Sequence, residues 1–254
     1  DNRPFNFLAQ SYNTLSFGLG QKKVYSKRFT YASIMHFLIG WGFIELTFAT
    51  TVDFFAARRW FVGYLPEFDT PWFAFINDTG GLMLIVGCCM ALFRRHYMQP
   101  EILPQNNLSG RGILLGDSGI LFFLIFLSIG GFITEAARLA VETPETAYWS
   151  WVGYAISKVT SQANWITLKP YVWWGHALTS LLFIALIPMT KMFHVIAAVA
   201  NIGLTNRKKH GLVKAMNISE IMDNPGSDVE NISLGSNDIK DFSWKQLLDS
   251  VSCT

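Results

Sequence analysis

The stretch Tyr171–Leu204, YVWWGHALTSLLFIALIPMTKMFHVIAAVANIGL, decides the fold. It is apolar almost throughout, longer than the ~20 residues a bilayer-crossing helix needs, and carries His176 near one end and His194 near the other. Eighteen residues separate the two, which in one continuous helix is about five turns and about 27 Å of rise. Both imidazoles are then expected on one side of the helix, at opposite depths of a membrane. Pro188 lies between them and bends the helix, so the shared face holds to some tens of degrees. Ionisable side chains inside a span are costly and point at a bundle interior or a cofactor, and imidazole is a common axial ligand of haem iron. The stretch reads as one wall of a haem-carrying bundle.

The rest of the chain agrees with a membrane setting. Of 254 residues, 51% are apolar and only 15% charged, against roughly 25% charged in soluble domains, and the mean hydropathy is +0.28. A net charge of +2 gives no reason to invoke nucleic acid, because the basic residues gather beside apolar stretches and report topology. Cys88 and Cys89 are adjacent within an apolar run and Cys253 is next to last, which is no disulfide framework.

Three further spans are expected: about 29–55, about 71–93, and one capped by Asp117 or Ser118 that runs to about Ala140. The segment 141–170 holds Trp149, Trp151, Tyr154 and Trp165 among polar residues, the composition of an interfacial helix or aromatic belt. The fold class is therefore all-α, an integral membrane bundle of four transmembrane helices with an outer interfacial helix. Lys22, Lys23, Lys27, Arg28, Arg94, Arg95, Arg111, Arg207, Lys208 and Lys209 fall on one side, and Arg58, Arg59, Arg138, Lys158 and Lys169 on the other. This asymmetry puts both termini in the cytoplasm of a cell whose inner membrane holds the protein. The expected domains are a cytoplasmic segment 1–28, a transmembrane domain 29–206, and a cytoplasmic linker 207–254 leading into something the chain does not include. The abrupt start suggests that an upstream piece is also missing.

Depth sorts the five histidines. His96 and His210 lie in basic surface contexts, where a solvated or lipid-facing side chain is the ordinary reading. His36 stands about two turns inside the first span, with Gly40 and Gly42 following as small residues that admit a neighbouring helix or a flat macrocycle. The first span rises from the cytoplasm and the fourth descends to it, so His36 and His194 share the inner level on antiparallel neighbours. Two imidazoles so placed suit a six-coordinate haem b; the competing reading is that each hydrogen-bonds a neighbouring helix. His176, at the outer level, has no histidine partner there. It is open to a second haem, to a quinone oxygen, or to a structural role. Glu135 and Arg138, three residues apart on one face, approach the same level and can pair with each other.

The segments HFLIGWGFIELTFAT and WWGHALTSLLFIALIPMTKMFHVIAAVANIGL resemble the membrane domain of the heterodisulfide-reductase-like iron–sulfur membrane oxidoreductases. Those proteins fuse a cytochrome b domain, similar to the gamma subunit of respiratory nitrate reductase, to a cytoplasmic iron–sulfur region. Within them the likeness is to bacterial electron-transfer-flavoprotein:menaquinone oxidoreductases, and it extends over residues 29–253. The tail DFSWKQLLDSVSCT resembles the run-in to a ferredoxin-type cluster motif with Cys253 as first ligand. The sequence departs from the nitrate-reductase pattern at Leu46, where a second histidine is found in that subunit, and it lacks that subunit's additional first span, which the resemblance implies is a further N-terminal span missing upstream of Asp1.

The resemblance implies haem b ligated by His36 and His194, a half-site for a second haem at His176, and Lys191 set to meet a haem propionate. It also implies a quinone or menaquinone, with His176, Glu135 and Arg138 around its pocket. The implied partners are a cytoplasmic iron–sulfur protein or domain, electron-transfer flavoprotein and membrane lipid. The expected function is electron transfer between a quinone pool and cytoplasmic iron–sulfur clusters in a respiratory oxidoreductase. Two alternatives remain: a small-solute or proton-coupled transporter with Glu45, Asp78 and His176 in its path, and a non-catalytic membrane anchor.

Overall fold

The computed structural model describes residues 7–22, 24–57, 66–67, 69–98, 116–204, 239, 242 and 244–252. The basic residues Lys23, Arg58, Arg59, Arg111 and Arg207–Lys209, together with His210 and Cys253, lie outside them. The chain separates into two compact units, Val24–Thr190 and Asp1–Lys23 with Lys191–Thr254.

The larger unit is built from α2 (Thr30–Ala57), α3 (Pro71–Phe93), α4 (Asp117–Glu142), the short α5 (Trp151–Ser157) and α6 (Gln162–Leu186); α1 belongs to the other unit. Four stretches are long and apolar enough to cross a membrane: Lys27–Ala56, Pro71–Met98, Ser118–Glu142 and Gln162–Met189. Among the described residues every regular element is a helix. With lipid as the outer solvent, helices associate through close backbone approach rather than burial of oil from water. Gly42 of α2 does this against α3: a Cβ there would lie 2.7 Å from the Gly80 carbonyl oxygen and 2.7 Å from the Leu84 nitrogen. A Cβ at Gly87 would meet Ile39 at 2.8 Å, and Tyr31 closes the same seam by donating to the Met90 carbonyl at 2.9 Å. On the next face of α3, a Cβ at Gly81 would come within 2.7 Å of the Phe132 ring of α4.

Three expectations change. The N-cap of α4 is Gly116, with no side-chain capping bond, so neither Asp117 nor Ser118 caps it; the Ser118 hydroxyl is taken by His96 Nε2 at 3.0 Å. The fourth span starts nine residues earlier than Tyr171, at Gln162, where Ser161 accepts the Asn164 amide at 3.4 Å and Pro170 is carried inside the helix. Trp165 is therefore not part of the aromatic belt. It is 5% exposed, packs with Ala136 and Ala137 of α4, and donates its indole N–H to the Ser157 carbonyl at 2.9 Å. Tyr148, Trp149, Trp151 and Tyr154 remain exposed, as a belt requires.

The largest correction concerns Tyr171–Leu204. It is not one helix. The α-helix stops at Leu186, Ile187–Met189 form a 3₁₀ turn with Pro188 in it, and Thr190 is extended at φ −119°, ψ 171°. The Thr190 amide and hydroxyl both donate to the Ile187 carbonyl, each at 3.2 Å, replacing bonds that Pro188 disrupts. The chain resumes as α7 (Phe193–Gly203). A common face and a 27 Å rise cannot be carried across this break, and the division between the two units falls at it.

In the smaller unit, α1 (Phe7–Asn13) runs into a wider π-type turn, Thr14–Leu19. A Cβ on Gly203 of α7 would lie 2.6 Å from Thr14 Oγ1, and one on Gly18 would lie 3.6 Å from Val199, so this hairpin of helices also uses glycine for close approach. The final helix α8 (Trp244–Ser252) docks on α7 through Asn201, whose amide donates to Asp249 at 2.8 Å and to Ser252 at 2.5 Å. Lys245, 8% exposed, donates to Asn201 Oδ1 and to Asp249.

Candidate functional site

His36, Gly40 and Phe43 fall on one face of α2, since steps of four and seven residues return close to the same direction. Gly42, Ile39 and Leu38 occupy the seam with α3. The His36 face therefore looks elsewhere, and Phe43 shows where: its ring lies 6.0 Å from that of Phe183 on α6, which is 5.7 Å from Phe123 on α4. His176 is seven residues before Phe183 and shares its face of α6. Because α2 and α6 traverse the unit in opposite directions, His36 lies on one side of this aromatic layer and His176 on the other. Each is two helical turns away, which puts the imidazoles about 21 Å apart along the bundle. Both are half-buried.

The His176 ring lies on a bare patch of α4. A Cβ on Gly130 would come 3.1 Å from His176 Nδ1, close enough to push the ring by a few tenths of an ångström, and one on Gly131 would sit in ordinary contact, 3.5 Å from Cε1. His176 Nδ1 is buried and has no hydrogen-bond partner. In the smaller unit His194 is held differently. Its Nδ1 contacts the Lys191 carbonyl, and since a carbonyl only accepts, Nδ1 carries the proton and Nε2 presents its lone pair. Lys191 thus acts on His194 through its backbone, one turn before it.

A polar cluster occupies the Arg138 end of the larger unit. Asp78 of α3 is 1% exposed, and its Oδ2 accepts the amides of Val152 at 2.6 Å and Gly153 at 3.2 Å. These are donors of the first turn of α5, so a carboxylate from another helix completes what the α5 sequence lacks. Glu135 of α4 stands against Asp78 and Ser150, and a Cβ on Gly153 would meet its Oε2 at 2.8 Å. Arg138, within electrostatic reach of Glu135, donates from Nη1 to Asp69 at 2.7 Å and lies 3.7 Å from Glu142. Lys169 joins Glu142 at 2.7 Å, and Thr146 bonds the Asp69 carbonyl at 2.8 Å.

Of the sequence-predicted site, Glu135 and Arg138 are thus brought into one cluster, while His176 lies about one turn deeper, at the level of Gly130 and Gly131. His36 and Gly40 face the aromatic layer. Asp78 as the centre of the cluster, and the Gly130–Gly131 seat, are the parts that sequence reasoning missed. A lone Asp in an apolar span and a Gly pair in the third span were the available signals. Among the described residues no three of His, Cys, Asp and Glu converge as a metal-binding group.

The architecture defines a multi-pass helical membrane protein with imidazole at two depths of one bundle and a carboxyl-rich cluster at one end. Two curated proteins are similar to it. The chain is 26% identical over 254 residues to the EtfAB:quinone oxidoreductase of Syntrophomonas wolfei subsp. wolfei, covering 93% of this chain and 32% of that protein. It is 23% identical over 239 residues to the Bacillus subtilis protein named "Probable iron-sulfur-binding oxidoreductase FadF", covering 92% of this chain and 31% of that protein. The chain thus spans about a third of the length of the relatives it matches. Both relatives are named as oxidoreductases, which supports an oxidoreductase component. No protein-family model and no solved structure matches the chain.

Proposed function

We propose that this chain is the membrane module of a quinone-linked oxidoreductase, carrying electrons between a quinone and iron–sulfur clusters on the cytoplasmic side. The observation that supports it best is the pair of imidazole levels, His36 and His176, on opposite sides of the Phe43–Phe183–Phe123 layer, in a chain similar to oxidoreductases named for quinone and iron–sulfur. His36 and His194 are each assigned as an axial ligand of haem b, as the sequence resemblance suggests. Two local features support this reading: the contact of His194 Nδ1 with the Lys191 carbonyl, the usual preparation of a ligating imidazole, and the Cβ-free surface that Gly130–Gly131 leave beside His176. Haem b supplies reversible one-electron exchange at iron.

The chain's own residues do the rest. Gly40 keeps the surface beside His36 low, and Lys191 fixes the His194 tautomer. His176 offers either a ligand atom for a second haem or a hydrogen-bonding group for a quinone oxygen. Glu135 exchanges a proton and Arg138 anchors it by charge, both at the end assigned to the outer side of the inner membrane. Electron-transfer flavoprotein is proposed as the soluble donor and menaquinone as the quinone.

The test is the reduced-minus-oxidised visible spectrum of the purified protein. A low-spin b-type signal is expected, lost in His36→Ala and in His194→Ala, whereas Glu135→Gln keeps the signal and loses quinone turnover. A colourless protein would replace this reading with that of a proton-coupled transporter, for which the unpartnered, buried Glu45 Oε1 beside Gly80 is the favouring observation.

A further inference from the structure

Asp78 and Glu135 come from different membrane-spanning helices and meet at one residue of α5: Gly153 donates to Asp78 Oδ2 at 3.2 Å, and a Cβ on Gly153 would lie 2.8 Å from Glu135 Oε2. One oxygen of Asp78 is committed to two backbone amides, at 2.6 and 3.2 Å. The other, Oδ1, is buried and meets no N–H or O–H donor, although the residue is only 1% exposed. Carboxylate oxygens only accept. With Asp78 Oδ1 closed off from solvent and a second carboxyl group beside it, a proton held between the two satisfies this oxygen, as in carboxyl pairs that share one proton. Charges facing the pair are Arg138 on α4, with Asp69 and Glu142 bound to it, and Asp53 on α2 in electrostatic reach of Arg138. On its remaining sides are the Ser150 hydroxyl and the amides of α5.

We propose that Asp78 and Glu135 form one proton-binding site that holds a single shared proton and exchanges it with water at the Arg138 end. The reaction is proton exchange alone: the pair passes from one carboxylic acid and one carboxylate to two carboxylates and a released proton, with no change of oxidation state. Asp78 is the fixed member, because its Oδ2 is tied to α5, and Glu135 is the member that moves. Where the proton goes rests on the quinone reading above. Reduction of a quinone takes up two electrons, from a carrier of the iron–sulfur class, and two protons, of which this pair carries one.

The experiment is infrared spectroscopy of the full chain in lipid nanodiscs, reading the C=O stretch of protonated carboxyl groups and its shift in heavy water. At neutral pH the wild type is expected to show such a band. Glu135→Gln should abolish it, since the pair of carboxyl groups is then gone, and Asp78→Asn, which can still accept from α5, should displace or abolish it. A wild type without the band, or a band unchanged in either variant, overturns the proposal. If a variant does not fold, carbon-13 carboxyl labelling of the unmutated protein replaces it. A shared proton makes the band move with labelled aspartate and with labelled glutamate, and movement with one label alone overturns sharing. Adding a short-chain naphthoquinone with a chemical reductant separates the two readings. A band present but indifferent to quinone leaves the proton site standing and removes its quinone role, whereas quinone turnover without the band removes the site and leaves the oxidoreductase reading.

Discussion

Asp78 and His176 are both polar groups inside membrane-spanning helices, yet they are bonded in opposite ways. Asp78 receives two backbone amides from α5 and stands against Glu135; His176 Nδ1 receives nothing and lies on two glycines. The difference separates a group used to build the fold from a group the fold leaves available. An aspartate that satisfies two donors of another helix is hard to remove, because its loss strands them in a medium with no water to replace it. An imidazole whose Nδ1 has no partner is removed at little cost to the fold, and the proposed cost is binding.

Three substitutions sharpen that contrast. The largest effect is expected from Asp78→Ala, which leaves the Val152 and Gly153 amides unpaired and should cost on the order of 3 kcal/mol, read as a lower midpoint of thermal unfolding in detergent. A variant as stable as wild type would show that α5 does not depend on Asp78. Next is Gly130→Val, whose side chain must displace the His176 ring; overpacking of this kind costs about 1–3 kcal/mol, and the sharper expected readout is loss of the haem or quinone proposed at His176, in contrast to an exposed-face control such as Phe126→Val. The smallest is Glu142→Gln, which breaks a surface ion pair with Lys169 at 2.7 Å and should change stability by less than about 1 kcal/mol. A larger loss would make the Arg138–Asp69–Glu142–Lys169 cluster part of the framework of the Asp78 end.

The sequence makes the four spans plain because hydropathy is a sum over many residues and tolerates local surprises. It is less informative where one residue decides. Pro170 and Pro188 lie in the same apolar region, and only Pro188 ends its helix. Pro170 is tolerated inside α6, while Thr190 beyond Pro188 adopts an extended conformation and returns two bonds to Ile187. No spacing rule distinguishes those outcomes. Trp165 was read with the interfacial tryptophans because composition near a membrane end cannot say which indole finds a carbonyl; its bond to Ser157 depends on the turn that joins α5 to α6. His36, His176, Glu135 and Arg138 were legible as costly residues in spans. Asp78 was visible too, but its role depends on α5 arriving with its first amides pointed inward, which is a tertiary fact.

The layer formed by Phe43, Phe183 and Phe123 has a consequence for charge separation. None of the three rings offers a hydrogen-bonding atom, so a file of water molecules has nothing to hold it in that part of the bundle. Electrons can tunnel between redox groups held on either side of such a layer, but protons need a continuous relay. If redox groups occupy the His36 and His176 levels, each turnover moves negative charge through the layer without its counter-ion. The bundle then works as a small capacitor, and the same chemistry that reduces or oxidises a quinone also adds to, or draws on, the membrane voltage.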